Sequence, residues 1–167
     1  LARLFPDAWL LKAEDLEESH DLGDFDRCIV AGGDGTLRQV VQYLMQEHIR
    51  IPIGIIPVGT GNILARNLGI SLDVEHAAKT ALNGTPREID IGKAKIAGEQ
   101  PLFFTGIAGL GLDAKIMEKT DSKLKRRIGW VAYIEGGIRA LPAKFQKFNI
   151  TVDGAEPRKV KVLTLII

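Results

Sequence analysis

Along the first half of the chain, short apolar blocks alternate with stretches whose apolar positions recur every three or four residues. Cys28, Ile29 and Val30 lead into Ala31-Gly32-Gly33-Asp34-Gly35-Thr36, which predicts a buried parallel strand ending in a tight turn. Thr36 then opens a helical pattern, with Leu37, Val40, Val41, Leu44 and Met45 on one face. Residues 51–56, entered through Pro52, predict a second strand, which runs into Pro57-Val58-Gly59-Thr60-Gly61-Asn62 and a helix-like stretch at 63–68. Val74, Ala77, Ala78, Ala81 and Leu82 give a further amphipathic helix, with Asn83-Gly84 as its stop. Residues 8–11 form a short strand candidate, and residues 14–26 read as an acidic, solvated connection. Strands alternating with helices predict a parallel sheet covered by helices.

From Glu88 onward the texture changes. Ile89 and Ile91, a break at Ala97-Gly98, and an apolar partner at 102–108 predict a hairpin. Gly109-Leu110-Gly111 is expected to lead into a short helix, followed by a longer one over about 124–141. Phe148, Ile150 and Val152 alternate, Asp153-Gly154 signals a hairpin turn, and residues from Val160 supply the return strand. The fold class is therefore α/β: a parallel-sheet domain at 1–88, then part of a mainly antiparallel β domain at 89–167. Both ends read as cut, so the chain is expected to be a fragment of something longer.

Composition narrows the function classes. With 167 residues, 26% charged and 46% apolar, the chain reads as globular, with enough length for a real core. A net charge of +1 gives no support for a nucleic-acid partner. The single cysteine, Cys28, falls in a predicted buried strand and reads as an inert core thiol in a reducing, cytoplasmic setting. His20, His48 and His76 are spread over polar positions and form no ligand set. No apolar run approaches the roughly 20 residues that span a bilayer.

Chemistry concentrates in the two glycine turns. A strand, a glycine loop and a helix start in that order make an anion site, because backbone N–H groups and the positive helix end favour phosphate. Both turns follow strands of one expected sheet, so both lie at its carboxyl edge, where ligands of open α/β sheets bind. Gly32, Gly33, Gly35 and Thr36 can wrap a phosphate chain, while Thr60 and Asn62 offer a hydroxyl and an amide to the same ligand. Asp34 would repel a phosphate unless a metal or a proton-transfer role offsets the repulsion.

These turns, together with Leu64-Ala65-Arg66, resemble the catalytic domain of the diacylglycerol kinase family, which includes bacterial lipid kinases, sphingosine kinases and ceramide kinases. The resemblance continues through Ile89-Asp90-Ile91-Gly92, residues 104–114, and residues 124–139 with Gly129 and Tyr133. The Gly-Gly-Asp-Gly-Thr element is shared with NAD kinases and, in variant form, with phosphofructokinases. The Gly59-Thr60-Gly61-Asn62 turn points to the lipid-kinase branch. The resemblance implies ATP- and Mg²⁺-dependent phosphorylation of a lipid hydroxyl, such as that of diacylglycerol or a sphingoid base. It places the reaction in a cleft between an α/β domain and a β-sandwich-like domain. By position, Gly32, Gly33, Gly35, Thr36 and Thr60 would hold the nucleotide. Asp34 would position Mg²⁺ or polarise the acceptor hydroxyl; Asp34 and Asp90 are the metal candidates in an otherwise unknown ligand set. An NAD kinase-like enzyme and a non-catalytic nucleotide-binding regulator are the alternatives.

Several departures and absences matter. Arg38-Gln39 stands where the family often has Asn-Glu, and Ile63 where many relatives place Asp after the Asn. The first strand with its nucleotide loop and the later element with the general base are missing, so this piece is expected to be inactive alone. Asp153-Gly154-Ala155-Glu156 reads as a plain hairpin turn, and no P-loop sequence occurs. Gly109, Gly111 and Ala114 fit the loose dinucleotide fingerprint, but the acidic residue about 20 positions on is lacking. Lys119, Lys123, Lys125, Arg126 and Arg127 beside Trp130 form either a solvated helix face or a peripheral contact with anionic membrane. A homodimer stays open.

Overall fold

In a computed structural model of the chain, which describes residues 5, 6, 8–16, 25–111 and 145–167, Cys28–Gly32 forms strand β1 and Ile53–Pro57 strand β2. The two pair in parallel, with Cys28 opposite Ile53 and Gly32 opposite Pro57. Helix α1 (Asp34–Gln46) connects them; the short helix α2 (Ile63–Asn67) and helix α3 (Val74–Asn83) come after β2. Successive strand residues face opposite sides, so each strand feeds two cores. Val30, Ile53 and Ile55 join Leu37, Val40, Val41 and Leu44 of α1. Ile29 and Ile56 join Ala77, Ala78 and Ala81 of α3. That double cover explains why β1 and β2 read as continuous apolar runs rather than alternating ones. Each fully buried aliphatic side chain stabilises the fold by about 1.5–3 kcal/mol.

Helix α1 starts at Asp34, with Gly33 as its N-cap, rather than at Thr36 as the apolar spacing suggests. Apolar periodicity marks the buried face of a helix and is silent about an exposed first turn. Helix α3 lies close on β2 because Gly54 has no side chain. A Cβ there would stand 2.7 Å from Ala81 Cβ and 3.1 Å from Ala81 Cα. Gly54→Ala is therefore expected to cost about 1–3 kcal/mol through overpacking, read as a lower urea midpoint. The same C-terminal end of α3 is tied to the start of β1 by Arg27, whose guanidinium donates to the carbonyls of Ala81 and Leu82. These last-turn carbonyls have no helical donors, so a cation suits them.

At its start, α3 is capped by Asp73, which accepts a hydrogen bond from the His76 backbone N–H at 2.9 Å. That bond is the first cause holding the Asp73 carboxyl below its ordinary 3.8, with the nearby His76 ring adding to it. A carboxyl depressed in the folded state stabilises above its unfolded value, and the contribution is lost as pH falls through the folded one. Acid titration of stability should therefore lose a small component below pH 3.8. Asp73→Asn, which caps without titrating, should remove that component from the profile.

Strands β3 (Gly92–Ala94) and β4 (Leu102–Phe104) form an antiparallel hairpin. Phe103 is buried in the α1 core. Gln42, on the same helix, donates from Nε2 to the Pro101 carbonyl at 2.9 Å and accepts the Phe103 N–H on Oε1 at 2.9 Å. Two compact units result, Leu1–Gly106 and Ile107–Ile167. The first keeps residues 89–106, which the sequence texture groups with the second. Hairpin patterning shows that two strands pair, but not which core receives them.

In the second unit, β5 (Gly109–Gly111) pairs antiparallel with β8 (Thr164–Ile166), and β6 (Gln146–Ile150) with β7 (Arg158–Val162). The β6–β7 connection passes through Asp153 and Gly154, both at positive φ, which suits a turn. The apolar run from Val160 is divided between β7 and β8 rather than forming one return strand. Gly109-Leu110-Gly111 is itself a strand. The two helices expected after it, and the basic run from Lys119 to Arg127, lie outside the described residues. Residues 8–11 form no strand or helix; the Trp9 ring stacks on Phe25 at 5.7 Å. Most of the acidic connection also lies outside the described residues, apart from a short 3-10 helix at Ala13–Asp15.

Candidate functional site

Both glycine turns sit where the chain leaves a parallel strand at its carboxyl end, and the two turns meet. The Val58 N–H donates to the Gly32 carbonyl at 3.2 Å, carrying the pairing of β1 and β2 one step past the strands. Beyond that bond the backbones of Gly33 and Gly59 abut. A Cβ on Gly59 would stand 2.4 Å from Gly33 Cα and one on Gly33 3.1 Å from Gly59 Cα, so there is no room at Gly59 and little at Gly33. Gly32, Gly33, Asp34, Pro57 and Asn62 line one small crevice there, floored by apolar residues including Leu37.

Asp34 crosses between the turns. Its Oδ1 accepts the Ile63 N–H at 2.7 Å, so a carboxylate from α1 caps the start of α2. On the same side, a Cβ on Gly61 would reach Oδ2 at 2.8 Å. The negative group that a phosphate-binding turn should avoid is thus held against backbone N–H and glycine.

Asn62 is the buried polar side chain among the described residues, at 7% exposure. Its backbone is left-handed, with φ 50° and ψ 45°, a conformation Asn tolerates better than most residues. Its Nδ2 donates to the Gly59 carbonyl at 2.8 Å and its Oδ1 accepts the Gly59 N–H at 3.0 Å. The amide that the sequence offers to a ligand is engaged within its own turn, which it shapes. Arg66 adds a further tie, donating from Nε to the Gly61 carbonyl at 2.9 Å.

Thr36 packs over Gly32, where an added Cβ would approach its Oγ1 at 2.8 Å. A Cβ on Gly35 meets nothing within 4 Å, so that position faces open space. Thr60 is exposed on the second turn. Asp90 is exposed just before β3, and no hydrogen bond or ion pair among the described residues joins it to the turns. No cluster of three or more His, Cys, Asp or Glu side chains able to hold a metal occurs among the described residues. Cys28 is packed against the α1 core, where burial pushes its thiol up and keeps it inert.

Sequence patterning does not reveal the parts played by Gly59 and Gln42. Gly59 carries a usable signal, since an Asn three residues after a glycine can fold back on its backbone. Gln42 carries none, because its partners lie more than 50 residues away.

Comparison with known proteins bears on the same segment. The profile of the diacylglycerol kinase catalytic domain matches residues 10–94, which include both turns. A diacylglycerol kinase of Bacillus subtilis is 43% identical over 135 residues, covering 80% of this chain and 43% of that protein. One from Staphylococcus carnosus is 36% identical over 129 residues, covering 77% and 40%. A crystal structure of a diacylglycerol kinase from Bacillus anthracis superposes with a TM-score of 0.71 at 26% identity, covering 99% of this chain and 54% of that one. The chain thus spans roughly half the length of the relatives it matches.

Proposed function

Because the chain belongs to the diacylglycerol kinase catalytic domain family, we propose that the protein containing it is an ATP-dependent kinase acting on a lipid hydroxyl, such as that of diacylglycerol or a sphingoid base. The observation that carries this reading is the closure of the two glycine turns on each other, with Gly33 against Gly59.

The residues present suit a phosphate chain. The N–H groups of Asp34, Gly35 and Thr36 open α1 and have no acceptor within it, and Gly33 brings no side-chain cap. Gly35 has no Cβ and faces open space, so a ligand can approach the backbone there closely. When bound, ATP supplies the phosphoryl group to be transferred. The chain's part is to position it, which in phosphoryl transfer is most of catalysis. Free N–H groups at the start of α1 face the charge, Thr36 and Thr60 offer hydroxyls, and Asn62 keeps the second turn in shape. Asp34, held at Oδ1, presents its other oxygen beside Gly61, where it can orient the acceptor hydroxyl.

Mg²⁺ fits less well. Asp34 is one carboxylate with one oxygen already bonded, and the described residues contain no ligand cluster around it.

The test is transfer of label from ATP by the full-length protein, with diacylglycerol, a sphingoid base and NAD offered in parallel. Label in a lipid supports the reading. Label in NAD instead would assign an NAD kinase-like enzyme, and ATP binding without transfer to any acceptor would assign a regulator. No helix among the described residues is long and apolar enough to cross a membrane. Access to a lipid is proposed to use the basic run around Lys123, Lys125, Arg126 and Arg127, whose charge suits an anionic surface.

A further inference from the structure

Strands β6 and β7 alternate half-buried and exposed residues, so their hairpin has two unlike faces. Phe148, Ile150, Val160 and Val162 share the half-buried face. Lys147, Asn149, Lys159 and Lys161 share the exposed one, and Phe145, 59% exposed, stands at its end. The register sets Lys147 opposite Lys161 and Lys159 opposite Asn149. Like charges directly opposite on one sheet face repel. No ion pair among the described residues relieves them, and the acids of the hairpin, Asp153 and Glu156, lie in its connecting turn. Lys161 instead rests over the Phe145 ring, 5.6 Å from its centre.

Three cations and an aromatic ring on one face, with no acid among them, complement an extended negative surface. An anionic bilayer supplies many charges in one plane and attracts lysines that come within a screening length of it. It would offset the repulsion between Lys147 and Lys161. Phe145 could enter the headgroup boundary, where an apolar ring beside basic residues adds to binding.

We propose that the exposed face of the β6–β7 hairpin is a docking surface for anionic phospholipid bilayers. The choice of a bilayer over another polyanion rests on the kinase reading, in which the acceptor hydroxyl belongs to a lipid. The surface is separate in sequence from the basic run at 119–127 and stands on its own pairing register.

The experiment is sedimentation of the full-length protein with vesicles of phosphatidylcholine, alone or mixed with phosphatidylglycerol. Wild type, Lys147→Gln and Lys147→Glu are compared, with urea midpoints measured beside them. Lys147→Gln should weaken binding to the anionic vesicles about fivefold, and Lys147→Glu about tenfold or more. Lys147→Glu also turns a repulsive cross-strand pair into an attractive one, so its midpoint should rise while its vesicle binding falls. A damaged hairpin would lower both, and that outcome would overturn the register argument. Transfer from ATP to a short-chain, water-soluble diacylglycerol should match wild type; its loss in Lys147→Glu would place the effect at the reaction and overturn the proposal. Equal binding of wild type to both vesicle types, or anionic-vesicle binding by Lys147→Glu equal to wild type, would overturn the surface and leave the kinase reading intact. Capture of wild type by polyglutamate without vesicle binding would assign the face to an acidic protein instead. Hairpin-dependent vesicle binding without transfer to any lipid would keep the surface and remove the kinase reading.

Discussion

Asp34→Asn in the full-length protein is expected to lower phosphoryl transfer to the lipid acceptor by about 100-fold or more, while stability stays close to wild type. The structure makes this substitution informative. Oδ1 of Asp34 accepts the Ile63 N–H at 2.7 Å, and an Asn places an acceptor oxygen in the same position. The cap on α2 is kept and only the charge is lost. Asp34→Ala removes both, and should in addition cost about 1.5–3 kcal/mol, as for a hydrogen bond to a charged group. Initial rates with labelled ATP, read beside urea midpoints, separate the two effects. Turnover by the Asn variant at the wild-type rate would reduce Asp34 to a cap.

Gly59→Ala should damage both the fold and nucleotide binding. The added Cβ would lie 2.4 Å from Gly33 Cα and 2.8 Å from Asn62 Oδ1. The first obstacle is backbone and cannot swing aside. The second is half of the reciprocal pair that shapes the turn. We expect a loss of about 1–3 kcal/mol in stability and about tenfold or more in ATP affinity, as the turns part and the crevice between them deforms. Gly35→Ala is the matched control. Its Cβ meets nothing within 4 Å, and within a helix Ala is favoured over Gly. Its stability should hold or rise, so a Gly59 variant as stable as it would mean that the contact between the turns does not hold the fold.

How much of the structure is legible in the sequence depends on how local each interaction is. The order of β1, turn, α1 and β2 comes from apolar blocks, period and glycine, all of which act over a few residues. So does the position of α3, whose cap and stop are written beside it. The link from Asp34 to Ile63 spans 29 residues. It depends on β1 and β2 pairing in one register, so nothing near Asp34 announces it. Asn62 reads as a ligand donor in the sequence because its chemistry allows that. Its left-handed backbone and its bonds to Gly59 appear only once the turn is built. The pairing of β5 with β8 shows the same limit, since more than 50 residues separate the partners.

Gln42 has a consequence for how the first unit opens and closes. Its side-chain amide offers the β4 backbone a donor and an acceptor, as a neighbouring strand would with a peptide group. Release of Phe103 therefore exposes both an aromatic ring and an unpaired amide, unless α1 loosens at the same time. Helix and hairpin are therefore expected to open together as one unit. A fluctuation that frays the hairpin should be felt along the same helix that begins at Asp34, and hydrogen exchange should show the two elements opening together.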